Sequence, residues 1–125
     1  MSDPCDTTII VVDDEALIRM HGASMLEDAG YSVVEAANAD EAIAILEGTT
    51  DVRLLFSDVD MPGSMNGVAL AEVVHARWPN VRLLLTSGHH HIANAQLPDD
   101  GRFIPKPYSQ KAVVREVNSL LHNGE

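Results

Sequence analysis

Leu54–Gly63 reads LLFSDVDMPG and carries the strongest structural signal in the chain. A short apolar run ends at Asp58, a second carboxylate follows at Asp60, and Pro62-Gly63 is a turn signal. An apolar run of this length that is bounded by a turn is typical of a buried strand. Asp58 is therefore predicted at the carboxyl end of a strand, which is where open α/β sheets usually place their functional groups.

Three other apolar or β-branched runs end in polar side chains in the same way. They are Thr8–Val12 before Asp13 and Asp14, Val81–Leu85 before Thr86 and Ser87, and Arg102–Ile104 before Lys106. The central strand is predicted at about Val52–Ser57, with Asp58 at its tip, and a shorter strand at Tyr31–Glu35. If these strands are parallel neighbours, the carboxylates, the hydroxyl and the lysine lie at one edge of the sheet.

Helical patterns separate the predicted strands. The first is predicted from about Glu15 to Ala29, with Gly30 as its stop signal, and Asn38 with Glu41 three positions later predicts a capping box for the second. Further helices are predicted from about Asn66-Gly67 to the residue before Pro79 and over about 109–122. Residues 88–101 predict only a short, weakly stabilised helix.

Five strand–helix units with right-handed crossovers predict a doubly wound α/β fold, a (βα)5 three-layer sandwich. The expected parallel order 2-1-3-4-5 makes strands one and three neighbours at the switch point, so Asp13, Asp14 and Asp58 converge there. We expect a single domain over residues 1–125, with a core at about 8–122.

Composition narrows the function classes. The 125 residues carry a formal net charge of -11, which argues against nucleic acid or an anionic membrane as a direct partner. One cysteine, Cys5, excludes a disulfide within the chain, so a cytoplasmic protein is expected. No signal peptide and no apolar run near the roughly 18 residues of a membrane span are found.

A cluster of three carboxylates suggests its own chemistry. Two unit charges about 4 Å apart repel by about 4 kcal/mol at an effective dielectric of 20, so the cluster needs a cation or a shared proton. Ligands that are all oxygen favour Mg²⁺, Mn²⁺ or Ca²⁺ over zinc. An aspartate can attack phosphorus, and Thr86 and Lys106 would supply a hydroxyl and a positive charge for phosphoryl oxygens.

The motifs together resemble the receiver domain of two-component response regulators, which has a flavodoxin-like fold. The resemblance covers about residues 8–122 and is closest to the single-domain, chemotaxis-regulator type. It rests on Asp13-Asp14, Asp58 with Met61-Pro62, Thr86-Ser87 and Lys106-Pro107. It implies a protein that is no enzyme beyond its self-catalysed phosphorylation and dephosphorylation.

The resemblance also implies a role for each matching residue. Asp58 would accept a phosphoryl group from a sensor histidine kinase or a histidine phosphotransfer protein. Mg²⁺, or alternatively Mn²⁺, would be held by Asp14 directly, by Asp13 largely through water, by Asp58 and by the backbone carbonyl of Asp60.

The remaining implied roles concern the switch. Thr86 would turn toward the phosphoryl group, Lys106 would pair with it, and the Lys106-Pro107 bond is often cis in such domains. Phe103 would be the aromatic switch residue, without the hydroxyl of the commoner tyrosine. The implied output is binding of a downstream protein, or dimerisation through the face of the fourth helix, fifth strand and last helix.

Two departures and two alternatives stay open at this point. The loop 61–67 is one residue longer than usual, and the segment between Thr86 and Lys106 is slightly short. One alternative is a receiver-like binding module that works without phosphorylation. The other is a phosphatase, because Asp58-Val59-Asp60 has the Asp-x-Asp spacing of haloacid-dehalogenase-like enzymes. His89-His90-His91 is read as a solvated loop rather than a metal site.

Overall fold

The structure, a computed structural model, describes residues 8–49, 51–60, 65–87 and 101–122. Within these ranges strands and helices alternate along the chain. The elements are β1 (Thr8–Val12), α1 (Ala16–Asp28), β2 (Ser32–Ala36), α2 (Ala39–Gly48), β3 (Val52–Asp58), α3 (Gly67–Arg77), β4 (Arg82–Ser87), β5 (Arg102–Pro105) and α4 (Gln110–His122). The weak helix predicted within 88–101, His89-His90-His91 and the first part of the long loop, 61–64, lie outside the described residues.

All five strands form one parallel sheet of order β2-β1-β3-β4-β5, as the sequence predicts. The apolar strands suit this position, because a parallel sheet is covered by helices on both faces. The register pairs Val12 with Ser57 and Asp58 with Thr86. The ends of β1, β3 and β4 are therefore level with one another at the carboxyl edge.

Successive residues of β3 face opposite layers, because side chains alternate along a strand. Leu54 and Phe56 belong to one hydrophobic cluster, together with Leu26 of α1 and Val113 of α4. Leu55 belongs to the other cluster, together with residues of α2 and α3 such as Leu46 and Leu70. The predicted three-layer sandwich is confirmed, and the four helices of the described ranges pack as one pair on each face of the sheet.

The predicted helix ends are confirmed where short-range signals control them. The side chain of Asn38 accepts from the Glu41 backbone N–H at 2.9 Å, and Glu41 accepts from the Ala37 N–H at 2.9 Å. Asn66 caps α3 by accepting from the Ala69 N–H at 2.9 Å. Gly30 ends the turn after α1 with φ of 101°, a conformation that favours glycine.

Strand bounds differ from the predictions by one or two residues. β3 extends to Asp58 and β4 to Ser87, because the ladder continues through Asp58 with Thr86 and Ser87 with Pro105. Tyr31 precedes β2 instead of starting it, since its N–H bonds the Leu26 carbonyl of the preceding helical turn. In the part of the chain that the structure describes, no helix has the length and apolarity needed to cross a bilayer.

Candidate functional site

Asp58 ends β3 with its side chain enclosed by neighbouring loops, and the residue is 3% exposed. Its Oδ1 accepts from the backbone N–H of Asp60 at 3.1 Å, and its Oδ2 accepts from Lys106 Nζ at 3.1 Å. Burial raises the pKa of Asp58 above its usual range, although the Asp60 N–H and the Lys106 ammonium oppose that shift. The result is a buried carboxylate oriented through both oxygens.

Asp13 and Asp14 follow the last residue of β1, which pairs beside β3. Asp13 Oδ1 accepts from the Glu15 backbone N–H at 2.9 Å, and its Oδ2 accepts from Lys106 Nζ at 3.2 Å. The Asp13 carbonyl accepts from Arg19 Nη1 at 2.9 Å, which ties this turn to α1. Asp13 is buried and Asp14 is exposed, so the acidic pair lies between the site and solvent.

Lys106 joins the two acidic segments, because its ammonium contacts both Asp13 and Asp58. Its backbone N–H donates to the Ser87 carbonyl at 3.0 Å, which holds the end of β5 against the end of β4. The Lys106-Pro107 bond is cis. Burial would lower the pKa of Lys106, but the charges of Asp13 and Asp58 outweigh burial and raise that pKa. The lysine therefore carries its positive charge inside the site.

Thr86 lies beside Asp58 in the β3–β4 register, and its carbonyl accepts from the Val59 N–H at 2.8 Å. Thr86 Oγ1 is buried and has no hydrogen-bond partner among the described residues. An unpaired buried hydroxyl carries a free-energy cost, which a ligand oxygen at this site would relieve.

The charges fit a divalent cation. One carboxylate oxygen from each of Asp13, Asp14 and Asp58 lies within 4.8 Å of the others. Three carboxylates and the Lys106 ammonium together carry a formal charge of -2, which one divalent cation balances. A set of oxygen ligands that includes the exposed Asp14 suits Mg²⁺, because this ion keeps several bound waters. The sequence prediction that loops from β1, β3 and β5 meet is therefore matched by the distances.

Two predicted site residues lie beside this cluster. The Asp60 carboxylate accepts from Ser87 Oγ at 2.5 Å, so its side chain is directed at β4 rather than at the other carboxylates. The role expected of the Asp60 backbone carbonyl stays a prediction. Phe103 is half-buried against the cluster on the α2 and α3 face, and in the register it pairs with Leu85, next to Thr86.

Sequence reasoning missed three contributors to the site. Ser87 was noted only at a strand end and in the Thr86-Ser87 motif, and Gly67 only as a helix start. Arg19 was not singled out. A Cβ on Gly67 would lie 2.3 Å from the Asp58 carbonyl oxygen, so only glycine permits this approach. A glycine at the predicted start of a helix was the one available signal.

The parallel sheet and the acidic cluster with its lysine define a doubly wound α/β protein with a candidate cation site at the switch point. The sequence profile of the response regulator receiver domain matches residues 9–118. The chain belongs to this family. Members of the family are in general phosphoacceptors rather than enzymes.

Relatives from several bacteria support the assignment. The chain is 36% identical over 118 residues to the sensor kinase CckA of Brucella abortus, covering 91% of this chain and 12% of the kinase. It is 36% identical over 124 residues to the transcriptional regulatory protein ResD of Bacillus subtilis, covering 97% of this chain and 50% of ResD. The chain thus spans half or less of these relatives.

A solved structure extends the similarity to three dimensions. A response regulator receiver protein from Sinorhizobium medicae is 27% identical and superimposes with a TM-score of 0.87. The match covers 95% of this chain and 97% of that protein. The fold, including the sheet order, is that of receiver domains.

Proposed function

We propose that this receiver domain is the phosphoacceptor of a two-component or phosphorelay system, with Asp58 as the residue that is modified. A carboxylate oxygen of Asp58 attacks the phosphorus of a phosphohistidine on a sensor kinase or a phosphotransfer protein. The new oxygen–phosphorus bond replaces the phosphorus–nitrogen bond, and the imidazole leaves with the electron pair. The product is an aspartyl phosphate.

The observation that carries the proposal is the bridging contact of Lys106 with Asp13 and Asp58 at 3.2 and 3.1 Å. These residues come from the ends of three strands and are far apart in sequence. An ammonium already bonded to Asp58 Oδ2 is within reach of a phosphoryl group attached to that carboxylate, where charge-assisted hydrogen bonds are strong. Lys106 would thus stabilise the incoming charge.

A divalent cation completes the proposed reaction. Asp13, Asp14 and Asp58 would hold Mg²⁺, with Mn²⁺ as an alternative, and the Asp60 carbonyl is proposed as a further ligand. When bound, the ion neutralises charge that develops on the phosphoryl oxygens. The oxygen-only ligands and the formal charge of -2 at the site support this assignment.

Thr86 and Phe103 are proposed to convert phosphorylation into a change of shape. The unpaired Thr86 hydroxyl would donate to a phosphoryl oxygen, which removes the cost of its burial. Phe103 pairs with Leu85, the residue before Thr86, and we propose that a movement of Thr86 lets this ring move inward. A shift from 1:99 to 99:1 between two states requires about 5.5 kcal/mol of differential contacts.

The phosphodonor is proposed to dock beside α1. Leu17 and Met20 of α1 are 82% and 55% exposed, and their spacing of three residues places them side by side on the helix surface. Leu17 also lines a groove of about 630 Å³ whose other wall includes Lys106 and Tyr108. Because Lys106 contacts Asp58, a histidine-bearing protein seated in this groove would lie next to the acceptor. Leu17→Asp should slow phosphotransfer from the cognate kinase.

The output of the domain is a protein contact in this proposal. The relatives include a sensor kinase and a transcriptional regulator, both longer than this chain, so receiver domains serve in more than one kind of assembly. The downstream target would bind the phosphorylated form, and dimerisation through the face that includes β5 and α4 is the alternative output.

Intact mass measured after incubation with acetyl phosphate and Mg²⁺ tests the acceptor. The wild type should gain the mass of one phosphoryl group, and Asp58→Asn should gain none. Asp51→Asn is the matched control, because this exposed aspartate precedes the opposite end of β3 and should be labelled like the wild type. An unlabelled wild type would favour a module that works without phosphorylation, and rapid turnover of a phosphomonoester would favour a phosphatase.

Thermal unfolding with and without Mg²⁺ tests the cation site separately. A ligand at tenfold its dissociation constant stabilises the folded state by about 1.4 kcal/mol. The melting temperature of the wild type should therefore rise with Mg²⁺ and fall again on chelation. Asp14→Asn should remove the effect, because Asp14 is an exposed member of the cluster and its loss leaves the core intact. A Mg²⁺ response that survives in Asp14→Asn contradicts the assignment of this ligand.

A further inference from the structure

Ser87 holds the loop that follows the acceptor strand. It is the last residue of β4 and is 1% exposed, and its hydroxyl donates to Asp60 Oδ2 at 2.5 Å. A hydrogen bond from a hydroxyl to a carboxylate is charge-assisted and therefore stronger than one between neutral groups. The Ser87 carbonyl in turn accepts from the Lys106 N–H at 3.0 Å. One buried serine therefore joins the loops after β3, β4 and β5.

Asp60 links this serine to the acceptor. Its carboxylate is bonded to Ser87, and its backbone N–H donates to Asp58 Oδ1 at 3.1 Å. With Lys106 on Oδ2, the Asp60 N–H is one of two described hydrogen bonds that orient the Asp58 carboxylate. Anchoring the side chain of Asp60 limits how far its N–H can turn from Asp58.

The bond from Ser87 also controls where a further negative charge lies. The Asp60 carboxylate is two residues from Asp58 and would repel an incoming phosphoryl anion if it turned toward the cation cluster. Bonded to Ser87, it is directed at the end of β4 instead. Loss of the serine hydroxyl would therefore loosen the acceptor and release a competing charge, and both effects oppose phosphorylation.

We propose that Ser87 is a positioning residue for phosphorylation, which acts on Asp58 through Asp60 by holding the Asp60 carboxylate away from the cation cluster and its N–H on the acceptor. This inference rests on the proposed function of Asp58. The reaction in the test is transfer from acetyl phosphate: the Asp58 oxygen–phosphorus bond forms, the bond from phosphorus to the acetate oxygen breaks, and acetate leaves with the electron pair.

A double-mutant cycle on the full chain tests the route through Asp60. The rate of phosphorylation by acetyl phosphate is measured at saturating Mg²⁺ for the wild type, Ser87→Ala, Asp60→Ala and the double variant. Ser87→Ala should be slower by about tenfold, which corresponds to about 1.4 kcal/mol. In the Asp60→Ala background the same serine change should have no further effect, because the partner of the hydroxyl is gone. Equal slowing by Ser87→Ala in both backgrounds would overturn the proposal.

Conservative variants separate positioning from folding. Ser87→Thr keeps the hydroxyl, so its rate should lie within about twofold of the wild-type rate, whereas Ser87→Ala should be slower by about tenfold. Asp60→Asn keeps an acceptor oxygen without the charge and should be at least as fast as the wild type. Far-ultraviolet circular dichroism checks that each variant is folded, and if Ser87→Thr does not fold, the cycle decides. If Ser87→Thr is folded but is phosphorylated as slowly as Ser87→Ala, the proposed positioning role of the hydroxyl is wrong.

A readout without phosphate distinguishes failure of this inference from failure of the proposed function. Hydrogen exchange of the Asp60 backbone amide, followed by nuclear magnetic resonance in the unphosphorylated protein, should be faster in Ser87→Ala than in the wild type. If the wild type takes no phosphoryl group, the function proposed for Asp58 fails while this exchange still tests the bond. If the wild type is labelled but Ser87→Ala matches it in rate and in exchange, only the role of Ser87 fails.

Discussion

Gly67→Ala is predicted to damage both stability and phosphorylation, because Gly67 packs directly on the acceptor strand. An added Cβ would lie 2.3 Å from the Asp58 carbonyl oxygen and 2.9 Å from the Asp58 carbonyl carbon and from Val59 Cα. Ordinary contacts between such atoms are about 3.5 Å or longer, so the two segments must separate by about 1 Å. All three neighbouring atoms belong to the backbone and cannot rotate away.

Two opposing contributions determine whether Gly67→Ala raises or lowers the free energy of unfolding. Gly67 starts α3, and replacing a helical glycine by alanine gains about 0.5–1 kcal/mol through lower chain entropy. Overpacking in a close-packed region costs about 1–3 kcal/mol, and rigid backbone neighbours place this site at the upper end. The net loss should be about 2 kcal/mol, which lowers the melting temperature by about 6–10 °C for a domain of this size.

Two other glycines supply matched controls. No heavy atom lies within 4 Å of a Cβ on Gly48, at the end of α2, so Gly48→Ala should be neutral or slightly stabilising. A Cβ on Gly22 would meet the Tyr108 hydroxyl at 3.2 Å, which a small side-chain shift relieves, so Gly22→Ala should fall between the other two. Urea unfolding measured by circular dichroism gives the three values.

The same series tests the link to function. A displacement of about 1 Å at a reacting group can cost about a hundredfold in rate, so Gly67→Ala should be phosphorylated by acetyl phosphate about a hundredfold more slowly than Gly48→Ala. If Gly67→Ala is as stable as the wild type within about 0.5 kcal/mol, which is the range of unremarkable surface substitutions, the packing argument is wrong. Normal labelling of a destabilised Gly67→Ala would mean that Asp58 does not depend on this contact.

Three further substitutions probe the frame around the site. Burial raises the pKa of Tyr31 above its unfolded value of about 10, and the protonated hydroxyl donates to Asn118 Oδ1. The protonated form therefore stabilises the fold below about pH 10, and this contribution is lost as the pH rises through the pKa of the folded state. Tyr31→Phe should cost about 1 kcal/mol near neutral pH and flatten the alkaline loss, measured by urea unfolding from neutral to alkaline pH; an unchanged alkaline profile would contradict this. Asn38→Ala should cost about 1 kcal/mol, because the cap on Glu41 is lost, and a cost near zero by the same assay would show that the cap is dispensable. Leu70→Ala removes a fully buried side chain of α3 and should cost about 2–5 kcal/mol in urea unfolding; a loss below about 1 kcal/mol would mean that the site collapses to fill the cavity.

Much of the architecture could be predicted from local patterns. Apolar runs of strand length alternated with helical periodicity, and the preference for right-handed crossovers left few arrangements for five such units. Asn38, Gly30 and Asn66 could be assigned as helix ends because capping depends on neighbours within three or four residues. Strand ends were less accurate: whether Thr86 and Ser87 continue β4 depends on partners in β3 and β5, and Tyr31 follows the end of α1.

The acidic cluster could also be expected from the sequence, since parallel strands bring their carboxyl ends to one edge. That rule places Asp13, Asp14, Asp58 and Lys106 near one another without any knowledge of side-chain positions. The contacts in the structure agree, because the Lys106 ammonium lies against both the Asp13 and the Asp58 carboxylates. The roles of these residues in phosphoryl transfer remain proposals that the mass measurement addresses.

The sequence by itself determined the order of elements, the parallel sheet and which residue types stand at its carboxyl edge, because these follow from short-range periodicity and chain topology. Only the tertiary structure decided which atoms meet there. Three contacts there join residues from separate segments. They are the hydrogen bond from Ser87 to Asp60, the hydrogen bond from Arg19 to the Asp13 carbonyl, and the close approach of Gly67 to Asp58. Such contacts depend on rotamers and loop paths at a precision of about 1 Å, a scale that sequence patterns do not encode and that hydrogen bonds require.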